Sequence, residues 1–254
     1  IEVNFAGILE MGDRTLKLKN LLNLAAFKNR KSVTFMPKPF LDECGNGMHV
    51  HMQLKKQGEY IMYQEGNYNN LSDTALYMIG GILKHVKALT AICNPSTNSY
   101  KRLVPGFEAP VTIAFAFANR SAVIRIPGYA IEKEEKRFEL RSPDATANPY
   151  LAYSAIMMAA FDGVLHKIDP TKEHFGPYDI NLFDLPQEEL DKIESLPTSL
   201  KDAADELEKD YQFLLQGNVF TENIIKNHLK RIRQEHLTVS KIPHPIEFEM
   251  YYSL

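Results

Sequence analysis

Residues 48–54 read MHVHMQL, an unbroken alternation of polar and apolar side chains. A β-strand points successive side chains to opposite faces, so this alternation predicts a strand with one apolar face toward a core. The other face carries His49, His51 and Gln53. A strand face that merely meets water needs no more than Lys, Thr or Ser, so this strand is the first candidate for a functional site.

Three further segments show the same period of two. Residues 120–126 separate Arg125 from its apolar neighbours, and residues 1–5 alternate so that Glu2 lies opposite apolar side chains. Residues 136–141 read KRFELR and group three charged side chains on one face: Arg137, Glu139 and Arg141. We therefore expect four strands whose polar faces carry imidazoles, carboxylates and guanidiniums, with residues 111–115 as a fifth strand.

Helical segments are predicted between and after these strands. Apolar residues at helical spacing, with Ser72 or Asp73 as the N-cap, predict the first of them. The expected helices cover residues 73–92, 147–168, 199–215 and 221–237. The chain shows no internal repeat and no linker, so we expect one α+β domain over residues 1–254. In it an antiparallel sheet carries the site on its inner face and α-helices surround the sheet.

Composition excludes several classes of protein. Of 254 residues 44% are hydrophobic, which is enough for a sizeable core, and 29 basic against 32 acidic residues argue against a general nucleic-acid binder. No apolar run reaches the roughly 18 residues of a membrane span, and we expect no membrane partner. The two cysteines have no metal-type spacing, and a reduced, cytoplasmic protein is the expectation. Because Ile1 opens directly into an alternating segment, we interpret the chain as a fragment.

The polar faces suggest a chemistry when they are taken together. Carboxylates with one or two imidazoles suit a divalent cation such as Mg²⁺ or Mn²⁺. Clustered arginines suit phosphate and carboxylate groups, which they bind bidentately. Metal ligands beside arginines fit phosphoryl transfer, in which the protein mainly positions groups and neutralises charge.

Each signal also has a simpler interpretation. The His-x-His pair occurs in zinc amidohydrolases and on ordinary solvated strands, and residues 137–141 could form a surface ladder of alternating charges. The residues act together only if their strands share one sheet, which alternation does not establish. The long loop 94–110 is bracketed by prolines and ends in Gly-Phe-Glu-Ala-Pro. Long ordered loops are usually functional, although a surface excursion is the alternative.

The ordered set of motifs resembles the type I glutamine synthetases from Glu2 to the end of the chain. Residues 34–39 (TFMPKP) with 47–51 (GMHVH) resemble the ATP-binding signature of that family. The loop 94–110 resembles its active-site loop. The other matching segments are 119–127 (NRSAVIRIP), 137–141 (RFELR), 143–144 (PD), 147–151 (ANPYL) and 244–252 (HPIEFEMYY).

The resemblance implies an ATP-dependent glutamate–ammonia ligase that works through a γ-glutamyl phosphate. The cofactors would be ATP and Mg²⁺ or Mn²⁺, the substrates glutamate and ammonia, and the fold a curved sheet like that of the guanido kinases. Metal ligands would be Glu2, His49 and Glu139. The residues on the nucleotide side would be His51, Gln53, Arg125 and Arg137. The residues that bind the substrate would be Gly45, Arg102 and Arg141. Glu108, on a flap that excludes water, and Arg120 would be catalytic.

Several departures from the family pattern leave alternatives open. The family has Asn before the glycine at position 45, and this chain has Cys44 there. Gln53 stands where Ser is common, and Ser142 stands where Phe is common. Phe183 occupies the position of a Tyr that some members adenylylate, so that modification is excluded here. The family's strand with two metal carboxylates and its N-terminal β-grasp domain have no counterpart here. We therefore expect an inactive fragment of a protein whose family forms dodecamers, with the C-terminal tail in the ring-to-ring contact. A terminal strand or helix packed on its own domain is the alternative for that tail. A γ-glutamyl-amine ligase and a non-catalytic paralogue remain as alternatives.

Overall fold

The computed structural model describes residues 1–104, 109–180, 182, 186–190 and 192–251. The described strands are β1 (Val50–Met52), β2 (Lys55–Lys56), β3 (Glu59–Tyr60), β4 (Thr112–Phe117), β5 (Ala122–Ile126) and β6 (Phe138–Leu140). The helices are α1 (Ile8–Lys28), α2 (Asp73–Cys93), α3 (Ser99–Arg102), α4 (Pro149–His166), α5 (Gln187–Leu190), α6 (Leu200–Lys209), α7 (Gln212–Leu215), α8 (Glu222–Ser240) and α9 (Pro245–Tyr251). Short 3₁₀ turns occupy Tyr68–Asn70 and Gln216–Asn218.

The α+β class is confirmed, and four of the five predicted strands form one sheet in the order β1-β6-β5-β4. Strand β6 pairs antiparallel with both β1 and β5, as expected. Strand β4 runs parallel to β5, so the sheet is mixed rather than wholly antiparallel. Alternation determines which face a side chain takes but not the direction in which its strand runs, so the parallel pairing of β4 could not be predicted from it.

The prediction of a strand at residues 1–5 is wrong. These residues are exposed and have no regular structure, and they lead through Gly7 into α1, which the strand patterns did not reveal. A strand needs a neighbour for its backbone groups, and the described residues offer none here. Helix α1 packs on α4, while most of its apolar side chains stay partly or fully exposed.

Helices α2 and α4 form the centre of the helical layer. The predicted caps are confirmed for α2, where the Ser72 hydroxyl accepts a hydrogen bond from the Ala75 amide at 3.2 Å. Helix α4 begins at Pro149 behind Asn148, whose side chain accepts from two amides of the first turn. The two helices touch at Gly81 and Gly163, where a Cβ on either residue would collide with backbone of the other helix.

Helix α2 is long and apolar enough to span a membrane by length and composition, but 78% of its apolar window is buried inside the protein. This is the behaviour of a core helix. The predicted helix 199–215 is divided into α6 and α7 at residues 210–211, and the predicted helix 221–237 is confirmed as α8, capped by Thr221.

A buried polar network joins α2 and α4 to the chain after α6. The His85 Nε2 atom lies 3.0 Å from Asp162 Oδ2, and its Nδ1 lies 2.7 Å from Asp210 Oδ2. The imidazole also stacks on Phe213, with ring centroids 4.0 Å apart. Burial alone would raise the pKa of Asp162, but the hydrogen bond and charge of His85, with His166 and Gln216, hold that pKa below its usual value.

We expect His85→Leu to destabilise the protein by about 3 kcal/mol, because it leaves the buried Asp162 carboxylate without its main partner. Urea unfolding followed by circular dichroism measures the change. His166→Leu is the matched control, because His166 meets the same carboxylate from a largely exposed position. The control should cost less than about 1 kcal/mol. Equal losses in the two variants would contradict this account of the network.

Stability should fall as the pH drops below about 6.5, the ordinary pKa of histidine. Burial lowers the pKa of His228, whose Nε2 lies 2.8 Å from the Ala91 carbonyl oxygen, although that contact and Glu235 oppose the shift. The unfolded chain then binds more protons than the folded chain below this pH, so protons favour unfolding. His228→Gln should show a shallower fall in unfolding free energy between pH 7.5 and 5.5. An identical slope in the variant would contradict the assignment to His228.

Candidate functional site

Three candidate residues lie side by side on one face of the sheet. In the pairing of β1 with β6, His51 lies opposite Glu139, and in the pairing of β6 with β5, Glu139 lies opposite Arg125. The preceding row of the ladder contains Val50, Leu140 and Ile124, which pack in the core on the other face. The strands therefore share a sheet, which was the condition that alternation left open.

Glu139 is the centre of this face. Its side chain is 3% exposed, and its Oε1 atom lies 2.8 Å from His49 Nδ1 and 3.7 Å from Arg141 Nε. Its Oε2 atom lies 3.1 Å from Arg125 Nη1. Burial alone would raise the pKa of Glu139, but the hydrogen bond from His49 and the nearby positive charges hold that pKa below its usual value. The group is therefore a carboxylate at neutral pH.

Among the buried atoms on this face that make no hydrogen bond to the described residues, two are possible ligand atoms for a cation. One is His51 Nδ1 and the other is Glu139 Oε2, which has its arginine neighbour but no aligned donor. Burial lowers the pKa of His51, and Arg137 and His49 add to that effect while Glu139 and Glu2 oppose it. A neutral imidazole and a carboxylate result, and buried groups of this kind call for a partner from outside the chain.

These atoms fit a divalent cation in kind, because Mg²⁺ prefers carboxylate oxygen and Mn²⁺ also accepts imidazole nitrogen. The number of ligand atoms, however, is too small for a metal site. Within the described part of the chain, no group of three Asp, Glu, His or Cys side chains is arranged to hold a metal ion. A cation at the His49–Glu139 pair would therefore need further ligands from water, substrate or other protein segments.

A cavity of about 170 Å³ opens beside this pair. Two guanidiniums give it a cationic wall, a histidine adds an imidazole, and small residues complete it. Its lining residues are Cys44, Gly45, Gly47, His49, Arg102, Ala109 and Arg141. A cavity of this charge and size suits a small anion such as a carboxylate or a phosphate group.

Arg102 is fixed in the cavity wall by three backbone carbonyls. Its Nη1 atom donates to Ser142 O at 2.7 Å and to Pro143 O at 3.3 Å, and its Nη2 donates to Arg141 O at 3.0 Å. Burial lowers the pKa of Arg102 to about 10, with Asp144 opposing and Arg141 adding to the effect, so the charge remains at neutral pH. Of the five N–H donors of a guanidinium, these three bonds leave two for a ligand.

Two glycines let the backbone pass close to this arginine. A Cβ at Gly47 would lie 2.5 Å from Arg102 Nη2, and one at Gly45 would lie 2.6 Å from Pro37 O. Both contacts are too close for a side chain, so glycine is required at each position. The same segment is tied to the loop after α2 by Lys38 N, which donates to Asn98 Oδ1 at 2.7 Å. Sequence reasoning missed this tether, for which the prolines beside Lys38 were the available signal.

Other expected site residues lie at the margin of the cavity or outside it. Glu2 is exposed, and its relation to the site is that its charge opposes the lowering of the His51 pKa. The Gln53 amide donates to Glu134 O at 2.6 Å, which makes it a structural tether in this structure. Arg120 has an exposed side chain, and its backbone carbonyl accepts from Arg141 Nη1. Glu108 and Phe183 lie outside the described residues.

Comparison with known proteins shows the family of the chain. The family model for the catalytic domain of glutamine synthetase matches residues 1–251. The glutamine synthetase of Aquifex aeolicus is 47% identical over 254 residues, and that of Pasteurella multocida is 48% identical over 253 residues. Each alignment covers 100% of this chain, and respectively 53% and 52% of those proteins.

Solved structures show the same fold. A glutamine synthetase of Plasmodium falciparum superposes with a TM-score of 0.87 at 31% identity, covering 98% of this chain and 55% of that one. Ligand-free GmaS superposes with a TM-score of 0.84 at 32% identity, covering 99% of this chain and 55% of that one.

The chain thus spans about half the length of the curated relatives that it matches. The family model covers nearly all of this chain, the relatives align along its full length, and the fold agrees with solved members. The chain belongs to the glutamine synthetase catalytic-domain family.

Proposed function

We propose that residues 1–254 form one catalytic domain of an ATP-dependent glutamate–ammonia ligase. The observation that carries the proposal is the cationic cavity of Arg102 and Arg141 beside the His49–Glu139 pair. An anion in that cavity would lie next to the carboxylate and imidazole that suit a metal–phosphate group. This juxtaposition is what transfer of a phosphoryl group to a substrate carboxylate requires.

The chain's own residues would act by position and charge. Arg102 and Arg141 would hold the glutamate carboxylate, because their guanidiniums are already fixed in the wall and lose little freedom on binding. Arg125, held beside Glu139, would offer positive charge on the nucleotide side, with His51 and Arg137 near it. Preorganised cations of this kind stabilise the charge that develops on a transferred phosphoryl group.

His49 and Glu139 would hold a divalent cation, with Glu2 as a third ligand in the proposal. When bound, Mg²⁺ or Mn²⁺ would neutralise phosphate charge on ATP. Arg120 and Glu108 would be catalytic, and Gly45 and Gln53 would line the glutamate and nucleotide sides. Their roles rest on the family resemblance.

The remaining parts of the proposal concern the whole protein. Because the described residues supply too few metal ligands, the domain would be incomplete at its N-terminal side, and alone it would catalyse the reaction weakly or not at all while still binding its ligands. Self-association into the family's dodecamer would complete the site. A cytoplasmic location is supported by two free thiols, Cys44 and Cys93.

Glu139→Gln should weaken Mn²⁺ binding by at least about tenfold, because it removes the central charge and keeps the shape of the side chain. Electron paramagnetic resonance of free Mn²⁺ measures the affinity. Glu235→Gln, on exposed α8, is the control and should bind Mn²⁺ like the unaltered chain. Equal affinity for the Glu139 variant and the control would contradict the metal assignment.

The ligase assignment itself is tested by calorimetry with Mg-ADP and glutamate. Each ligand should increase the affinity for the other, since both would occupy adjoining parts of one site. Arg141→Lys should lower glutamate affinity by about tenfold, because lysine loses the bidentate geometry. Thermal unfolding of the variant separates loss of the ligand contact from loss of the fold. Absence of glutamate binding in the unaltered chain, with Mg-ADP present, would count against the proposal.

A further inference from the structure

Arg137 lies over two aromatic rings that come from separate parts of the chain. Its Cζ atom is 5.4 Å from the centroid of the Phe5 ring and 5.0 Å from the centroid of the Tyr129 ring. Both distances are within the range of cation–π attraction. We name this group the Phe5–Arg137–Tyr129 cluster. Both rings are about half exposed, so burial of apolar area does not account for their position.

The guanidinium in this cluster has hydrogen-bond capacity left. Its Nη1 atom donates to Glu135 O at 3.1 Å. Its Nε atom is buried and has no hydrogen-bond partner among the described residues. The charge of Arg137 also acts on His51, in the row of the sheet that contains Glu139. An oriented donor beside that row is suited to an anionic ligand.

Phe5 is also connected to the site through the chain segment that contains Glu2. It belongs to the irregular segment before α1, and Glu2 lies three residues earlier in the same segment. The charge of Glu2 reaches His51. The segment is held to α1 by Arg14 Nη1, which donates to Asn4 O at 3.2 Å, and it meets the sheet through the Phe5 ring.

We propose that Phe5 and Tyr129 are positioning residues that hold the Arg137 guanidinium toward the phosphates of a bound nucleotide. The inference rests on the proposed function, because it takes the anion to be a nucleotide polyphosphate. Arginine has a long flexible stem, and rings against its planar group restrict the orientations that this group can take. The restriction lowers the entropy lost when the donors engage phosphate.

The test measures Mg-ADP affinity of the full chain by calorimetry. Phe5→Leu and Tyr129→Leu should each weaken binding about two- to fivefold, the effect of one cation–π contact near the surface. Phe5→Tyr and Tyr129→Phe keep an aromatic ring and should bind Mg-ADP like the unaltered chain, whereas leucine keeps only apolar volume. Phe27→Leu is the matched control, because Phe27 is an exposed aromatic residue of α1 outside the cluster. Its affinity should not change.

A second readout follows the Arg137 Nε–H signal by nuclear magnetic resonance, assigned with Arg137→Lys. Exchange of this proton with solvent should be faster in the leucine variants than in the ring-retaining variants. Equal exchange in all variants would overturn the inference, as would leucine variants that bind Mg-ADP like the unaltered chain. If the unaltered chain bound no Mg-ADP, the proposed function would fail. The claim that Arg137 is held toward nucleotide phosphates would fail with it. The exchange rates would then show whether the rings orient Arg137 at all.

Discussion

The candidate site depends on one buried carboxylate, that of Glu139. Removing a carboxylate from water costs several kcal/mol unless charges and hydrogen bonds compensate for the loss. Compensation here comes from His49, Arg125 and Arg141, which reach the carboxylate from three segments of the sheet. The pairing of β1, β6 and β5 must therefore keep its register. A slip of one residue would move Glu139 to the apolar face and leave two guanidiniums and an imidazole without their partner.

Around this carboxylate, backbone groups hold the side chains of the cavity wall in place. Arg102 is held by carbonyl groups of residues 141–143, and two glycines let the facing segment approach it. The cavity wall is thus charged and also rigid. Positive groups that are already fixed lose little on binding an anion, which is why such walls are useful for phosphate and carboxylate chemistry.

The polar faces of the strands were predictable because the period of two is strict in residues 48–54 and 136–141. The same period misled at residues 1–5, where the letters alternate but no neighbouring strand supplies backbone partners. Directions of strands, the parallel pairing of β4 and the carbonyl cradle of Arg102 are tertiary facts that no local pattern contains. Roles for Gly45, Arg102 and Arg141 came from resemblance to the family, and the structure adds the cavity that brings the three together.

Helices α2 and α4 touch backbone to backbone at Gly81 and Gly163, with no layer of side chains to absorb a change. Helix α4 begins six residues after Pro143, and the carbonyl groups of Ser142 and Pro143 accept hydrogen bonds from Arg102. A side chain at either glycine would force the two helices apart, and only a few residues join α4 to the cavity wall. The close packing of α2 on α4 therefore helps to fix the position of the wall around the anion pocket.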